Sequence, residues 1–295
     1  MGRRLVIVVG PTAVGKTEWS IGLALRYGSP VISCDSRQIY KEMTIGTAVP
    51  DASQLAAVKH YFIQDHSVCQ LYTAGKYETE ALALMDRLFR EGHETLVMAG
   101  GSGFYVDAVC NGLDDIPDAD PVLRAELTSR LEAEGVESLR ADLRRLDPDA
   151  WRTVDAANPQ RVLRAVEVCL LSGRPFSSFK LTGPKRRDFE IEKIGLTRPR
   201  AQLYDRIGRR VRQMMDDGLP DEARSLLPLR DLTALQTVGY KELFQYFDAL
   251  DGRPHPGGPR SLDEAADAIA LHTRHYAKRQ LTWWRRDPSI RWIEL

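Results

Sequence analysis

Near the start of the chain, Gly10-Pro11-Thr12-Ala13-Val14-Gly15-Lys16-Thr17 carries the GxxxxGK[ST] spacing, and no other segment restricts the fold as strongly. Leu5-Val6-Ile7-Val8-Val9 before it is a continuous apolar run of strand length, and Trp19 to Tyr27 after it has helical apolar spacing. A buried strand therefore ends in a glycine turn, and a helix starts there. The free N–H groups of that turn and the positive end of the helix dipole converge on one point, which suits a phosphate or diphosphate. All eight residues from Gly10 to Thr17 are candidate diphosphate ligands, with Lys16 reaching the terminal phosphates and the Thr17 hydroxyl ligating Mg2+. Kinases, motors, switches and transferases share such loops, so the loop alone leaves the reaction open.

Three further segments read as strands: the runs Val31 to Cys34 and Thr95 to Ala99, and the strand pattern Ile191 to Leu196. Helical spacing fills Thr79 to Phe89, which stops at Glu91-Gly92. Alternating strands and helices imply an α/β fold, a P-loop NTPase-like parallel sheet with its ligands at the carboxyl ends of the strands. Asp35, Ser102 and the phosphate loop are thus expected in one crevice. After the acidic linker Asp114 to Pro121 the pattern turns helical: Leu123 to Leu146 is broken at Gly135 and stopped at Pro148, and Asn158-Pro159 starts a helix over Gln160 to Leu171. The expected organisation is a catalytic core of 1–114 and 191–295 with a helical insertion at 115–190. In the second core segment, helices are expected at Arg200 to Met215, ended by Gly218-Leu219-Pro220, and at Leu262 to Trp284, after a loop over Arg253 to Pro259.

Hydrophobic residues make up 43% and charged residues 28%, the composition of a globular chain, and no apolar run has the length of a membrane span. A cytoplasmic, membrane-free monomer is the expectation. The cysteines, Cys34, Cys69, Cys110 and Cys169, form no CxxC pair, so zinc and redox motifs are unsupported. Formal net charge is +0. Positive charge is nonetheless concentrated locally, and the acidic linker offsets it in the sum.

Asp35, beside Ser36 at a strand end, is placed either as a magnesium-shell acid or as a general base near the phosphates. The third strand ends in Gly100-Gly101-Ser102-Gly103 with no acid, which weakens a motor or switch reading. A glycine pair there would let a substrate ring or backbone approach, with Ser102 available to hydrogen bond. Arg206 and Arg210 stand four apart on one helix face and could grip one anion. Between His272 and Arg286, basic and aromatic residues interleave as in a surface for unpaired RNA bases, although Trp283 and Trp284 suit packing better.

Read in order, GPTAVGKT, Asp35-Ser36-Arg37-Gln38-Ile39-Tyr40, Ile45-Gly46-Thr47-Ala48, Gly100-Gly101-Ser102, Asn158-Pro159-Gln160-Arg161, Val238-Gly239-Tyr240 and Ala277-Lys278-Arg279-Gln280-Leu281-Thr282-Trp283 resemble the bacterial tRNA dimethylallyltransferase family over nearly the whole chain. The resemblance implies transfer of a dimethylallyl group from dimethylallyl diphosphate to N6 of adenosine 37, beside the anticodon of tRNAs reading codons that begin with U. It makes Asp35 the general base, sets Ser102 on the same base, and has Lys16, Thr17 with Mg2+, and Arg210 hold the diphosphate. It implies contact with the tRNA anticodon stem-loop by Asp35, Ser36, Arg37, Gln38, Ser102, Arg124, Gln160, Arg161, Val162, Leu163, Arg164, Gln236, Thr237, Val238, Gly239, Tyr240, Lys241, Lys278 and Arg279. Many relatives have threonine at the place of Ser102 and an Arg-Cys pair at the place of Gln236-Thr237. Competing readings are an adenylate isopentenyltransferase acting on free nucleotide, a P-loop nucleotide or metabolite kinase, and a non-catalytic RNA-binding module.

Overall fold

A computed structural model describes residues 2–180, 183–253 and 255–295. The chain divides into two compact units, Met1–Cys110 with Arg186–Leu295, and Asn111–Lys185. The boundaries thus fall at 111 and 185 rather than at 115 and 190.

The first unit opens with β1 (Arg4–Val9), α1 (Lys16–Tyr27), β2 (Val31–Ser33), α2 (Ala52–Ala57), β3 (His60–Tyr61), α3 (Ala74–Arg90), β4 (Thr95–Ala99) and α4 (Gly103–Asn111). The second unit holds α5 (Pro121–Glu134), α6 (Val136–Leu146), α7 (Pro148–Thr153) and α8 (Pro159–Ser172). The chain then returns with β5 (Glu190–Thr197), α9 (Arg200–Asp216), α10 (Leu219–Leu226), α11 (Tyr240–Leu250), α12 (Leu262–Trp284) and β6 (Ile290–Glu294). Of the loop expected at 253–259, Pro254 lies outside the described residues.

Among the described residues the strands form one parallel sheet in the order β3-β2-β4-β1-β5-β6. β1 is central, and Leu5 to Val9 are at most 1% exposed, as an apolar run covered on both faces must be. The order reverses at β1, whose neighbours are β4 and β5, so the crevice at its carboxyl end opens where the phosphate loop begins. Two strands escape the sequence reading. β3 has only two residues, and β6, Ile-Arg-Trp-Ile-Glu, mixes charge into a sheet edge.

In the second unit the helices enclose their own core of Leu127, Leu139, Leu143, Ala150, Val162, Leu163, Ala165, Val166 and Cys169. Pro148 both ends α6 and opens α7, where the Asp147 carboxylate accepts the N–H groups of Asp149 and Ala150. Asn158 caps α8 by accepting the Arg161 N–H at 3.3 Å. Among the described residues no helix is long and apolar enough to cross a membrane.

Candidate active site

The phosphate loop is fastened by side chains from distant parts of the first unit. Lys16 Nζ donates to the carbonyls of Gly10 and Pro11 at 3.1 and 2.9 Å. Arg206 Nε donates to Ala13 O at 2.8 Å, Arg198 Nε to Val14 O at 2.9 Å, and Arg210 reaches Thr12 Oγ1 at 3.4 Å. Arg206 and Arg210 therefore lie on one face of α9, as their spacing requires. Arg198 was not singled out in the sequence, because it precedes the helix and its partner lies 184 positions away.

Burial, with Arg210 adding to it and Asp35 opposing, pulls the Lys16 ammonium from its ordinary 10.5 down to about 8. Burial and the neighbouring Arg206 likewise lower Arg210, against the pull of Asp35. These are cations gathered without enough anion, the electrostatic state that a diphosphate relieves. Between pH 8 and 10.5 the unfolded chain holds the Lys16 proton that the folded chain has lost, so stability from this group rises with pH in that window. Anion binding has the opposite sign, since the ammonium is present below about pH 8 and disappears above it. Inorganic diphosphate should thus bind more weakly at pH 9 than at pH 7, by at least about threefold beyond any change in Lys16→Arg, where the charge persists. Calorimetric titration of both proteins checks this, and equal pH slopes would remove Lys16 from the anion site.

Two cavities open on this loop. One, of about 430 Å³, is lined by Thr12, Lys16, Thr17, Asp35, Arg206 and Arg210 among others. The second, of about 600 Å³, is lined by Arg37, Gln236 to Gly239, Lys241, His272, Tyr276 and Arg279 among others. Thr12, Asp35, Thr47 and Arg210 line both. Asp35 therefore stands where the two spaces meet. Its Oδ1 accepts the N–H groups of Arg37 at 2.9 Å and Gln38 at 3.4 Å, and the described residues send no hydrogen bond to Oδ2. One oxygen fixes the carboxylate, and the other is open to a proton.

Ser102 is half-buried and stands beside Ser36 of the second cavity. It lines neither cavity. Its Oγ accepts the Ser36 N–H at 2.8 Å and lies 3.0 Å from Ser36 Oγ, so it supports the turn behind Asp35. The adjoining glycines also serve packing more than substrate approach. A Cβ on Gly101 would lie 2.3 Å from Gln280 Nε2, and one on Gly103 would lie 2.3 Å from Trp283 Nε1. They admit α12, whose Gln280 accepts the Thr12 N–H at 2.8 Å and donates to Gly101 O at 2.9 Å. Gln280 thus joins the phosphate loop to the end of β4, and Trp284, 2% exposed, packs inside as its type suggests.

Other expected contacts sort by burial. Val14 and Tyr240 are 0% exposed, and Tyr240 lines neither cavity. The Tyr240 hydroxyl donates to Glu222 instead, which corrects its placement on an RNA surface. Gln236 is exposed and donates to Arg230 O at 2.7 Å, and Lys278 and Arg279 are exposed on α12. In the second unit, Val162 and Leu163 are core residues at 1% and 0% exposure and cannot present side chains to RNA. Arg124 and Arg164 both pair with the single Glu167 carboxylate, which leaves one net positive charge on the three side chains. Gln160 and Arg161 remain exposed at the start of α8.

A divalent cation fits this donor set. The described residues contain no group of three or more His, Cys, Asp and Glu that could form a cage. Mg2+ needs none when a hydroxyl such as that of Thr17, substrate phosphate oxygens and water complete its shell.

The IPP transferase family model matches residues 38–287. The chain is 50% identical over 289 residues to tRNA dimethylallyltransferase 2 of Porphyromonas gingivalis, covering 98% of this chain and 93% of that protein. The chain belongs to the IPP transferase family. A second similar relative, tRNA dimethylallyltransferase 1 of Bacteroides thetaiotaomicron, is 48% identical over 98% of this chain and 91% of its own. Among solved structures, the full-length tRNA isopentenylpyrophosphate transferase of Bacillus halodurans superposes with a TM-score of 0.68 at 38% identity, covering 99% of this chain and 90% of that one. Membership of the IPP transferases agrees with an α/β core whose phosphate loop faces a second, cation-rich cavity.

Proposed function

We propose that this chain transfers the dimethylallyl group of dimethylallyl diphosphate to N6 of adenosine 37 in tRNAs that read codons beginning with U. As an IPP transferase it is a prenyl-transferring enzyme acting on a tRNA adenosine, and the position and codon class are the finer reading. The observation that carries the mechanism is the junction of the two cavities at Asp35, Thr12, Thr47 and Arg210. The donor's diphosphate occupies the loop side. The adenine, turned out of the anticodon-loop stack, enters from the side lined by Arg37, Lys241 and Arg279.

At the junction a bond forms between N6 and C1 of the prenyl chain while the bond from C1 to the diphosphate oxygen breaks. The N6 proton passes to Asp35 Oδ2, which suits a carboxylate pinned through Oδ1. Lys16, Arg206 and Arg210 neutralise charge as it builds on the leaving group. Mg2+, held through Thr17 and the diphosphate oxygens, would supply further charge neutralisation. Cationic and polar residues of the larger cavity, with Gln160 and Arg161 of the second unit and Lys278 of α12, are proposed to meet the stem-loop.

The reading is tested by incubating the protein with dimethylallyl diphosphate, Mg2+ and one of three acceptors: unmodified tRNA, the same tRNA with guanosine at position 37, or AMP. Prenylated adenosine should arise in the first alone. Product from AMP alone would turn the assignment to a free-nucleotide transferase, and loss of the γ-phosphate from ATP would turn it to a kinase.

A further inference from the structure

Glu222, in the first turn of α10, holds the backbone of a distant loop. Its Oε2 accepts the N–H groups of Thr44 and Ile45 at 3.0 and 2.8 Å, and its Oε1 accepts the Gly46 N–H at 2.9 Å. Oε1 also accepts the Tyr240 hydroxyl at 2.6 Å. Four donors converge on one carboxylate, two on each oxygen. Three successive backbone N–H groups form a concave anion nest, and the anion in it is part of the protein. Such charge-assisted bonds are about twice as strong as neutral ones.

The nest borders the reaction space. Gly46 and Thr47 line the larger cavity, and Thr47, Ala48 and Pro50 line the smaller one. Gly46 fits because a Cβ there would lie 2.7 Å from the Tyr240 ring. The hydrogen bonds continue inward, since Gln38 Nε2 donates to the carbonyls of Thr47 and Ala48 at 3.2 and 2.9 Å. The Gln38 N–H in turn donates to Asp35 Oδ1 at 3.4 Å. A continuous path therefore runs from Glu222 through the loop and Gln38 to Asp35. Burial and the facing Glu222 carboxylate raise the Tyr240 phenol, so it stays a donor across the working pH range.

We propose that Glu222 is a positioning residue for the reaction, its carboxylate setting the wall shared by both cavities and, through Gln38, the orientation of Asp35. It lines neither cavity. The inference rests on the prenyl-transfer reading above and goes beyond it, because it assigns a role to a residue outside the loop, the base and the RNA surface.

Glu222→Gln keeps the size of the side chain but turns one oxygen into an NH2 group facing N–H donors. Glu222→Ala removes the anchor, and Tyr240→Phe removes one donor of four. For Glu222→Gln the expected result is at least about a tenfold fall in kcat per folded molecule. Inorganic diphosphate affinity should stay within about twofold of the parent, and amide exchange at Thr44, Ile45 and Gly46 should quicken by at least about tenfold. Tyr240→Phe should give a smaller fall in the same direction. Unchanged exchange at residues 44–46, or an unchanged kcat with quickened exchange, overturns the proposal. An equal loss of diphosphate affinity overturns it too, by showing damage to the whole site. An inactive parent would count against the prenyl-transfer reading, while the exchange readout, which needs no catalysis, would still show whether Glu222 anchors residues 44–46.

Discussion

Asp35→Asn is expected to lower the turnover of tRNA prenylation by about 100- to 10,000-fold, the range spanned by loss of a positioned general base. The asparagine can keep the two bonds that Oδ1 accepts from Arg37 and Gln38, so the turn survives. What it loses is the ability to take a proton at the open oxygen. Equilibrium binding of the tRNA stem-loop should remain within about threefold of the parent, because the proposed RNA contact rests on cations and polar groups rather than on this carboxylate. Single-turnover prenylation at saturating donor measures the chemical step directly. Turnover within tenfold of the parent would move the base to another group.

Lys16→Ala should cost about 100- to 1,000-fold in turnover, the scale of removing one donor from a site where negative charge develops. The effect should fall on kcat as well as on the KM for dimethylallyl diphosphate, since the charge on the diphosphate grows as the bond to C1 breaks. The loop should keep its shape without the lysine: Arg206, Arg198 and Gln280 still hold Ala13 O, Val14 O and the Thr12 N–H. Steady-state kinetics with varied donor, beside a thermal melt, separates the two contributions. A rise in KM at unchanged kcat would make Lys16 a ground-state anchor only.

The parts legible in the sequence are those whose geometry is local. The phosphate loop has a fixed spacing, β1, β2 and β4 are apolar runs covered on both faces, and β5 carries a strand pattern of mixed apolar and charged residues buried only over Ile194 to Leu196, so their positions follow from the order of residues. The loop rich in proline and glycine over Arg253 to Pro259 predicts a helix from Leu262 to about Trp284, and α12 spans these residues. Contacts that cross the chain were not legible. Glu222 meets its backbone partners across 176 to 178 positions and Gln280 meets Thr12 across 268, and nothing near either residue signals the pairing. Arg164 and Glu167 stand three apart on α8, so that ion pair could have been read; Arg124, 43 positions from Glu167, could not. The Gln160 to Arg164 motif is contiguous in sequence, but a helix divides it between its faces and turns Val162 and Leu163 into the core.

The same division on α12 has a consequence for how this enzyme could change its choice of RNA. Ala277, Gln280 and Trp284 point inward at 1%, 5% and 2% exposure, while Lys278 and Arg279 between them face solvent. One short stretch therefore writes two messages in alternate letters, one addressed to the chemistry and one to the outside. On the proposed RNA contact, the outward letters can be rewritten singly, altering which RNA is held, with the seat of the leaving group left as it was.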